Sequence, residues 1–527
     1  MIKSYKSLII TTIILAAFEA VAFGLKVPIL MSLAFWGIIV FLVLLCTKKS
    51  ILQTETLEKT GIKQIIVIVV FCALLIALSV LPMSLAPFWN GRIPLHRNQY
   101  ELTADAILDG HLYIDYDDID PKLLEMENPY DYEERLAREI NYHYDHAFYN
   151  GHYYMYFGVV PVFLLFIPFK LIFHRPLVTF HATQFFVMMG IIAFFLLFYM
   201  LAKKFYKKIP LGTYILVTSA VCLITMGYCV QAPALYCTAI SGGVCLALWS
   251  IMLYCFGVFF AKKEWVGVLS CVLAALAGAL AFGCRPTAAL ASFLAIPLAI
   301  YYAKHYEGKH LILNYVLIAL PYVIVGGLLM AYNYARFENP FEFGQAYQLT
   351  TYDQSSYGNF FARFDISRII NGLFYNFLDF SDCTKEFPYL NYSGFLITYP
   401  IMWFIVPFMT HKESYTEMKK DKSMLFVIFL SLVPVFITAV DIQWAPGLCE
   451  RYRLDTYFVV GILMYVLLLY RLRTVKKRAL LSRVVSIFAV VSIFFTFLLF
   501  MRPCDANFAD HLPEQAEAVR RVVLFGL

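Results

Sequence analysis

Apolar runs recur along the whole of this chain, and each is about 17–25 residues long, enough to cross a hydrocarbon core of roughly 30 Å as an α-helix. Inside a bilayer the backbone N–H and C=O groups have no water to bind, so a spanning segment must satisfy them internally, as a helix does. Hydrophobic residues make up 61% of the 527 residues and charged residues 15%, which is outside the range of soluble domains. The sequence therefore predicts an all-α integral membrane protein.

Thirteen of these runs are predicted to span the membrane: Leu8–Leu25, Ile29–Leu45, Ile65–Leu81, Phe185–Leu201, Leu211–Gly227, Tyr236–Phe260, Trp265–Phe282, Ala288–Tyr302, Leu311–Tyr332, Phe395–Met409, Met424–Val440, Leu454–Tyr470 and Val484–Met501. The chain then has six parts: a three-helix N-terminal segment (1–81), a large acidic and aromatic extracytoplasmic loop carrying interfacial helices (82–158), a transmembrane core (159–332), a second extracytoplasmic loop (333–394), C-terminal helices (395–501) and an extracytoplasmic tail (502–527). No internal repeat of transporter type is visible.

Six short loops hold most of the positive charge: Thr47–Gln64, Ala202–Pro210, Ala261–Glu264, Tyr302–His310, Thr410–Ser423 and Arg471–Arg483. Together with Lys3 and Lys6 they contain 24 of the 42 lysines and arginines. Because cytoplasmic loops carry such an excess, we predict a cytoplasmic N-terminus, and the net charge of +6 requires no nucleic acid partner. The long segments then lie on the extracytoplasmic face: Pro82–Met155, Asn333–Gly394, Asp441–Arg453 and Arg502–Leu527.

One further apolar run, Tyr154–Phe173, does not fit this alternation as a full span, because it would move Lys203–Lys208 to the extracytoplasmic face. Its apolar core is short and carries Pro161 and Pro168 near its two ends. Interrupted segments are tolerated at membrane depth where protein or a water-filled cavity covers the backbone. We therefore expect a re-entrant or shallow helix here; the alternative is that a neighbouring run is miscounted.

The loop at 82–158 contains fourteen of the 36 acidic residues of the chain against five Lys or Arg. Glu101, Asp105 and Asp109 are spaced i, i+4, i+8, so a helix would place them on one face, and Gly110 is expected to end that helix. The structural explanation is a solvated acidic face. The functional one is a site that handles protons, cations or polar substrates.

The far end of the same loop combines an acid with imidazoles and aromatic rings. Asp145 stands between His143 and His146, and a carboxylate beside imidazoles can accept a proton near neutral pH. The Asn-Gly pair at 150–151 predicts a tight turn, which could fold Tyr154 and its aromatic neighbours onto the mouth of a cavity. Aromatic rings at a membrane interface also form the usual belt, which is the structural alternative for the tyrosines.

Four arginines lie at predicted helix ends on the extracytoplasmic face: Arg285, Arg336, Arg451 and Arg453. A guanidinium is well shaped to bind a phosphate, and arginines on this face go against the positive-inside bias. The structural alternative is that their charged ends simply reach out to the interface.

Motifs of several other classes are absent. There is no P-loop, Rossmann fingerprint, zinc-protease motif, serine-hydrolase elbow or DNA-binding element. The twelve cysteines are scattered, with no C-x-x-C pair or Cys/His cluster, and are expected to be small apolar residues within helices. The spans are nearly free of ionisable residues apart from Glu19, whereas ion transporters usually carry them at mid-membrane depth. This weighs against a transporter, so a flippase or transporter of lipid-linked or polar solutes is kept only as the alternative hypothesis.

Several motifs follow one another in a familiar order: A-x-x-I-L-x-G-H at Ala104–His111, D-x-x-x-Y-x-G-x-Y-Y at Asp145–Tyr154, an Arg-Pro pair at 285–286, R-F-x-N-P-x-x-F-G at Arg336–Gly344 and E-R-Y at Glu450–Tyr452. Together they resemble the bacterial GT-C-type glycosyltransferases, which are polytopic relatives of the protein mannosyltransferases and of lipid A aminoarabinose transferase. The resemblance covers about residues 99–455. It is more specific to the superfamily than to any one substrate.

The resemblance implies a GT-C-like enzyme that transfers a sugar from a polyprenyl-phosphate donor to an extracytoplasmic glycan, lipid or protein. It also implies that a carboxylate of the first large loop acts as the base, for which Asp145, Asp105 and Glu101 are the candidates. The candidates for substrate and phosphate binding are Arg285, Arg336, Arg451, Arg453, His143, His146 and Tyr154. No metal ligand is predicted; a divalent cation is compatible with the acidic residues, but no spacing demands one.

The implied location is the bacterial plasma membrane, with many passes through the bilayer and an extracytoplasmic active site. The sequence departs from the family pattern in two ways. Two extra spans precede the acidic loop, and the acidic pair that usually follows the preceding helix is missing, with His96–Gln99 near that place. The identity of the catalytic carboxylate therefore stays open at this point.

Overall fold

The computed structural model describes residues 5–25, 27–85, 99–231, 233, 235–305, 310–357, 364–380, 385, 387–444, 449–502 and 513–525. The protein is mostly helical (76%), and twelve helices within the described ranges are long and apolar enough to span a membrane. They are α1 (Tyr5–Leu25), α2 (Pro28–Leu45), α3 (Ile62–Leu85), α4 (Thr179–Phe205), α5 (Leu211–Gln231), α6 (Leu235–Phe259), α7 (Glu264–Phe282), α8 (Pro286–Ala303), α9 (Leu311–Phe337), α10 (Met424–Trp444), α11 (Leu454–Thr474) and α12 (Arg478–Phe500). The predicted multi-pass helical class is thereby confirmed.

Shorter helices and turns connect the long ones: Ile51–Thr54, Leu57–Lys59, Gln99–Asp109, Pro121–Leu124, Tyr132–Ala137, Val162–Phe166, Ile167–Phe173, Ser355–Tyr357, Ile366–Phe377, Lys412–Lys420, Glu450–Arg453 and Pro513–Val523. The helix at 99–109 ends before Gly110, whose φ of 96° fits the predicted helix stop. An antiparallel hairpin of β1 (His146–Tyr149) and β2 (His152–Met155) departs from the all-α prediction. It turns at Asn150 and Gly151, both with positive φ, as the Asn-Gly signal predicts.

One of the thirteen predicted spans, Phe395–Met409, is not one continuous helix. It consists of Phe395–Thr398, the 3₁₀ turn Pro400–Phe404 and Ile405–Met409. Pro400 has no N–H to donate to the preceding turn, which explains why the first piece ends there. The count of long spanning helices is therefore twelve rather than thirteen.

This broken segment nevertheless runs along the full length of α11. At one end, Arg453 donates to the carbonyl oxygen of Ser393 at 2.6 Å, just before the segment begins. At the other end, the Arg471 Nη1 lies 2.5 Å from the Nε2 of His411, two residues after the segment finishes. The described chain therefore passes from one end of the bundle to the other here as well, as the predicted alternation requires.

The six basic loops of the sequence meet at one end of the helix bundle, which we call the basic end. Their contacts are the bridge between Thr56 and Pro210 and the bonds of Lys204 with Tyr301, Asn314 with Glu264, Arg473 with Asp421 and Arg478 with Tyr206. The described parts of the long loops gather at the opposite end, which we call the site end. The separation of charge predicted from the sequence is thus present in the fold.

The run Tyr154–Phe173 begins and finishes at the site end. Val160 donates its N–H to the Gly283 carbonyl at the end of α7, and Glu101 accepts a hydrogen bond from Thr179 at the start of α4. The apolar helix between them, residues 162–173, is about 18 Å long at 1.5 Å per residue. It is therefore too short to cross a hydrocarbon core of roughly 30 Å by itself, and the re-entrant or shallow path stays a prediction.

Helices α5 and α11 form the centre of the bundle. In each, 94% of the spanning window is buried, against 11–17% for α1, α2 and α3. Close contact between them depends on a small residue, because a Cβ at Gly461 of α11 would lie 2.4 Å from the Val221 side chain of α5, and small residues let membrane helices approach. The described cysteines are free and mostly buried, which fits their predicted role as apolar packing residues.

Candidate active site

Arg285 lies in the short break between α7 and α8. Pro286 begins α8, where its fixed φ suits a first turn. The Arg285 Nε donates to the Asp455 Oδ2 at 2.8 Å, and the guanidinium carbon lies 4.8 Å from the centre of the Tyr452 ring. Burial alone would lower the pKa of Arg285, but the carboxylates of Asp455 and Asp441 raise it above its ordinary value. The side chain therefore stays charged although it is largely buried.

Arg451 contacts the same tyrosine. It belongs to the turn Glu450–Arg453 that leads into α11, and its guanidinium carbon lies 4.2 Å from the Tyr236 ring centre and 5.5 Å from that of Tyr452. The rings and the two guanidinium groups are held together by cation–π contacts. Two positive charges that share one ring form a favourable place for an anion such as a phosphate.

Gly158 lets the chain that follows β2 pack against the end of α7. A Cβ at this position would lie 2.3 Å from the Gly283 carbonyl oxygen and 2.6 Å from the Cys284 carbonyl oxygen. The close approach places Tyr156 beside Tyr452, and burial together with that neighbour raises the pKa of the Tyr156 phenol above its ordinary value. Tyr156 is therefore a neutral hydrogen-bonding group next to the arginines.

Gly158→Ala is expected to destabilise the protein by about 1–3 kcal/mol, because the added methyl group meets backbone oxygens that cannot move aside independently. The matched control is Gly326→Ala in α9, where a Cβ meets nothing within 4 Å and alanine favours a helix. Thermal unfolding of the purified proteins in detergent measures both effects. Equal melting temperatures for the two variants would contradict this account of Gly158.

Asp145 immediately precedes β1 and adopts a left-handed backbone conformation, with φ of 61°. This conformation is uncommon for residues other than glycine and often marks a functional position. The side chain is 8% exposed. The charges of Asp145 and Arg451 both act on the Tyr144 phenol, and the charges of Asp145 and Arg285 both act on the Tyr156 phenol. The carboxylate and the two arginines therefore share an electrostatic neighbourhood through these two tyrosines.

Three glutamine side chains, hydrogen-bonded in series, orient the amide group that binds the Asp145 carboxylate. Gln348 donates from Nε2 to the Asp145 Oδ1 at 2.8 Å, and its own Oε1 accepts from Gln354 at 2.8 Å. Gln345 in turn donates to the Gln354 Oε1 at 2.9 Å. Because an amide can only donate from nitrogen, this order turns the NH₂ group of Gln348 toward Asp145 and fixes the carboxylate in place.

The other two candidate bases have structural partners. Glu101 accepts from the N–H of Thr179 at 2.9 Å and from its hydroxyl at 3.2 Å, so it caps the start of α4. Burial raises the pKa of Glu101, and the bonds from Thr179 partly offset this. Asp105 pairs with Lys170 at 2.5 Å and is 42% exposed. The helix predicted to carry Glu101, Asp105 and Asp109 on one face does form. On that face, Glu101 packs against the start of α4, and Asp105 is partly exposed to solvent.

The two histidines beside Asp145 also have hydrogen-bonding partners of their own. His143 contacts the Asp118 carboxylate at 3.0 Å. His146 is 1% exposed; its Nδ1 lies 3.0 Å from the Tyr144 carbonyl oxygen and its Nε2 lies 2.9 Å from the Tyr116 hydroxyl. The Gln99 Nε2 also lies 3.3 Å from His146 Nδ1. These contacts hold the start of the hairpin in place.

Two of the predicted phosphate-binding arginines instead hold backbone together. Arg336 donates to the Met155 carbonyl oxygen at 2.8 Å, and Arg453 donates to the Ser393 carbonyl oxygen at 2.6 Å. Both are nearly fully buried, at 5% and 1% exposed. Tyr154 is also buried and packs edge-on against a phenylalanine ring. The structure therefore brings Arg285 and Arg451 together at the Tyr452 ring and gives Arg336, Arg453 and Tyr154 contacts that hold the fold together.

Asp441 is a site residue that the sequence did not reveal. It sits near the end of α10, is 4% exposed, and its charge acts on Arg285 and on Tyr452. The sequence feature that could have identified Asp441 is its position directly after the apolar run Met424–Val440. Among the described residues, no group of three or more His, Cys, Asp or Glu side chains is arranged to hold a metal ion.

Comparison with known proteins identifies no family. No family model matches the chain, and neither does any curated protein or solved structure. Function must therefore be argued from the site itself.

Proposed function

We propose that this protein is a GT-C-type glycosyltransferase that transfers a sugar from a polyprenyl-phosphate donor to an acceptor outside the cytoplasm. The observation that carries the proposal is that Arg285 and Arg451 both contact the Tyr452 ring, in an electrostatic neighbourhood that includes the buried Asp145 and at the end of the bundle opposite the basic end. Paired guanidinium groups suit a lipid phosphate. A fixed carboxylate beside them suits the acceptor hydroxyl.

The chemistry is a single displacement at the anomeric carbon. Asp145 accepts the proton of the acceptor hydroxyl while that oxygen forms its bond to the anomeric carbon. The bond from this carbon to the phosphate oxygen breaks, and the electron pair leaves with the polyprenyl phosphate. Arg285 and Arg451 stabilise the charge that develops on the departing phosphate. Attack opposite the leaving group inverts the configuration at the anomeric carbon.

The bilayer has a direct role in this reaction, because it holds the polyprenyl chain of the donor. Twelve apolar helices give the protein a surface compatible with lipid. Among the described residues, the site lies at one end of that bundle, so that a phosphate at the membrane surface and an acceptor in water can both reach it. In a bacterium the corresponding location is the plasma membrane, with the site on its outer side.

Reporter fusions are expected to place the basic end in the cytoplasm. Fusions after Lys208, Lys263 and Lys420 should report the cytoplasm, because positively charged loops are retained there. Fusions near Asp120, near Tyr352 and at the C-terminus, which lies outside the described residues, should report the exterior. An exterior signal after Lys208 would contradict both the orientation and the non-crossing path of residues 154–173.

The direct test uses purified protein reconstituted into liposomes with a panel of polyprenyl-phosphate sugars and envelope-derived acceptors. Transfer of sugar with release of polyprenyl phosphate is the expected result. Movement of a labelled lipid-linked sugar across the bilayer without transfer would support the flippase alternative and overturn the enzyme proposal. Lipid and glycan analysis of a deletion strain then identifies the missing product.

A further inference from the structure

A short helix in the second loop carries apolar side chains on its outward side. This helix, Ile366–Phe377, is called the loop helix below. Its outward apolar residues, together with the one that follows its end, are between 43% and 66% exposed; they are Ile366, Ile370, Phe374 and Leu378. Because residues four apart lie on one face of a helix, they form one continuous surface, which we call the apolar stripe. The mechanism proposed above does not use it.

The opposite side of the loop helix is fixed to the spanning helix α10. Gly372 and Asn376 are buried, and each lies two positions after a stripe residue, about 200° around the helix. The Asn376 Nδ2 donates to the Thr438 Oγ1 at 2.9 Å. At the other end of the loop helix, the Asp365 N–H donates to the Gln443 Oε1 at 3.3 Å. The apolar stripe therefore faces away from the bundle.

The same two contacts show that the loop helix crosses α10 obliquely. They lie eleven residues apart in the segment 365–376 but only five residues apart in α10, which corresponds to about 16 Å and about 8 Å at 1.5 Å per residue. A helix that ran beside α10 through a bilayer would cover equal lengths of both. The loop helix instead lies across the last two turns of α10, at the site end.

The apolar stripe continues a surface that suits lipid. In the two turns of α10 before Thr438, the side chains of Leu432, Val435 and Phe436 are also exposed, and α10 is long and apolar enough to span a membrane. Large exposed apolar patches mark surfaces that bind protein or membrane. An amphipathic helix that lies in the plane of a membrane interface buries its apolar face about 5–10 Å into the boundary between headgroups and acyl chains. The position and the outward stripe of the loop helix fit that arrangement.

The inner side of the loop helix is linked to the turn that carries Arg451. The Arg453 guanidinium carbon lies 4.0 Å from the centre of the Tyr375 ring, and the Arg453 Nη2 lies 3.7 Å from the Asp379 carboxylate, just after the loop helix. Arg453 and Arg451 belong to the same turn, Glu450–Arg453. A displacement of the loop helix would therefore be transmitted to Arg451.

We propose that the apolar stripe lies in the lipid leaflet at the site end and that the loop helix thereby holds Arg451 at a fixed height relative to the membrane. The leaflet supplies an apolar boundary for the stripe and water for Ser367 and Asn371, which are exposed beside it. The second half of this inference rests on the proposed function, since the height of Arg451 matters only if it meets a phosphate carried by a lipid.

The first experiment measures contact with lipid and needs no substrate. Full-length Phe374→Trp and Ile370→Trp are placed in phosphatidylcholine nanodiscs with or without bromine on the acyl chains, because bromine quenches tryptophan emission on contact. The emission added by each new tryptophan should be lost in brominated lipid and should resist iodide in the water. The matched control is Tyr352→Trp, at a residue of the same loop that is 57% exposed, where iodide should quench and brominated lipid should not.

Other outcomes contradict the proposal. Quenching of the stripe tryptophans by iodide alone would show that the stripe faces water. Resistance to both quenchers would show that a second copy of the chain or another protein segment covers it. Leu432→Trp in α10 supplies the reference for depth: it should respond most to bromine far along the acyl chain, whereas the stripe should respond most to bromine near the headgroup.

The second experiment measures the donor KM in the reconstituted transferase. The double variant Ile370→Ser/Phe374→Ser removes apolar groups from the stripe and leaves the inner side of the loop helix intact. Its KM for a polyprenyl-phosphate donor in liposomes should rise, while its KM for a short-chain, water-soluble donor should stay at the wild-type value, because that donor does not have to be reached at the membrane surface.

Tyr352→Ser is the matched control and should change neither KM. An unchanged KM for the liposomal donor in the double variant would overturn the link between the loop helix and Arg451. If wild type transfers no sugar from any donor, the proposed function fails, while the quenching result still decides whether the apolar stripe lies in lipid.

Discussion

Asp145→Asn is expected to lower turnover by about two orders of magnitude or more, because general-base catalysis by a positioned side chain contributes about 10²–10⁴-fold. The change removes the negative charge and the proton-accepting ability but keeps the shape of the side chain. Asparagine also tolerates the left-handed conformation that position 145 requires, and its carbonyl oxygen can still accept the bond from Gln348. The fold should therefore survive, and initial rates on the reconstituted protein measure the loss.

The matched control is Asp105→Asn, the change that the sequence alone ranks beside it. Asp105 is partly exposed and paired with Lys170, and such surface pairs contribute about 1 kcal/mol or less. Its turnover should stay near that of wild type. A normal rate for Asp145→Asn at unchanged protein level, or a large loss for Asp105→Asn, would reverse the assignment of the base.

Local signals in the sequence predicted the local structure well. The apolar runs correspond to α1–α12 because their length is dictated by the bilayer, and the Asn-Gly pair at 150–151 forms the expected turn because few other residues tolerate that backbone. The two features that the sequence did not predict, the broken span and the hairpin strands, also have local causes. Pro400 breaks the run 395–409, and the strands of the hairpin are only four residues long, too short for a periodic pattern to appear.

The partners of the site residues could not be predicted in this way. Arg285 and Arg453 look alike in the sequence, since both stand at helix ends on the same face. They differ because the carbonyl oxygen that holds Arg453 comes from residue 393, in a distant part of the chain, whereas Arg285 meets a carboxylate. In the same way, the pairing of Asp105 with Lys170 joins residues 65 positions apart, a contact that only the tertiary fold creates.

The membrane environment explains why these differences matter so much here. In a low-dielectric site an unpaired charge is costly, so every buried arginine must either be held by backbone oxygens or be matched by an acid. Arg336 follows the first course, Arg285 follows the second, and Arg453 combines the two, because its Nη2 also lies 3.7 Å from the Asp379 carboxylate. Arg285 differs from both in having no hydrogen bond to a backbone oxygen among the described residues, which suits the charge-stabilising role proposed for it.

Arg285→Met is expected to lower kcat/KM for the lipid-phosphate donor by about 10²–10³-fold, the size of effect seen when one group that stabilises developing charge is removed. The single variant should also be less stable by about 3–5 kcal/mol, because Asp455 loses its cation while remaining buried. Loss of activity could then reflect loss of the folded protein. The double variant Arg285→Met/Asp455→Asn separates the two causes.

In the double variant the uncompensated charge of Asp455 is gone, since both members of the ion pair have been replaced by neutral side chains. Thermal unfolding in detergent should therefore return most of the way to the wild-type melting temperature, while kcat/KM should stay as low as in the single variant. Arg285→Lys adds a further distinction, because it keeps the charge but loses the planar fork that grips two phosphate oxygens, and it should recover only part of the activity. A double variant that is both stable and fully active would show that Arg285 serves the fold alone, and the phosphate would then have to be bound elsewhere.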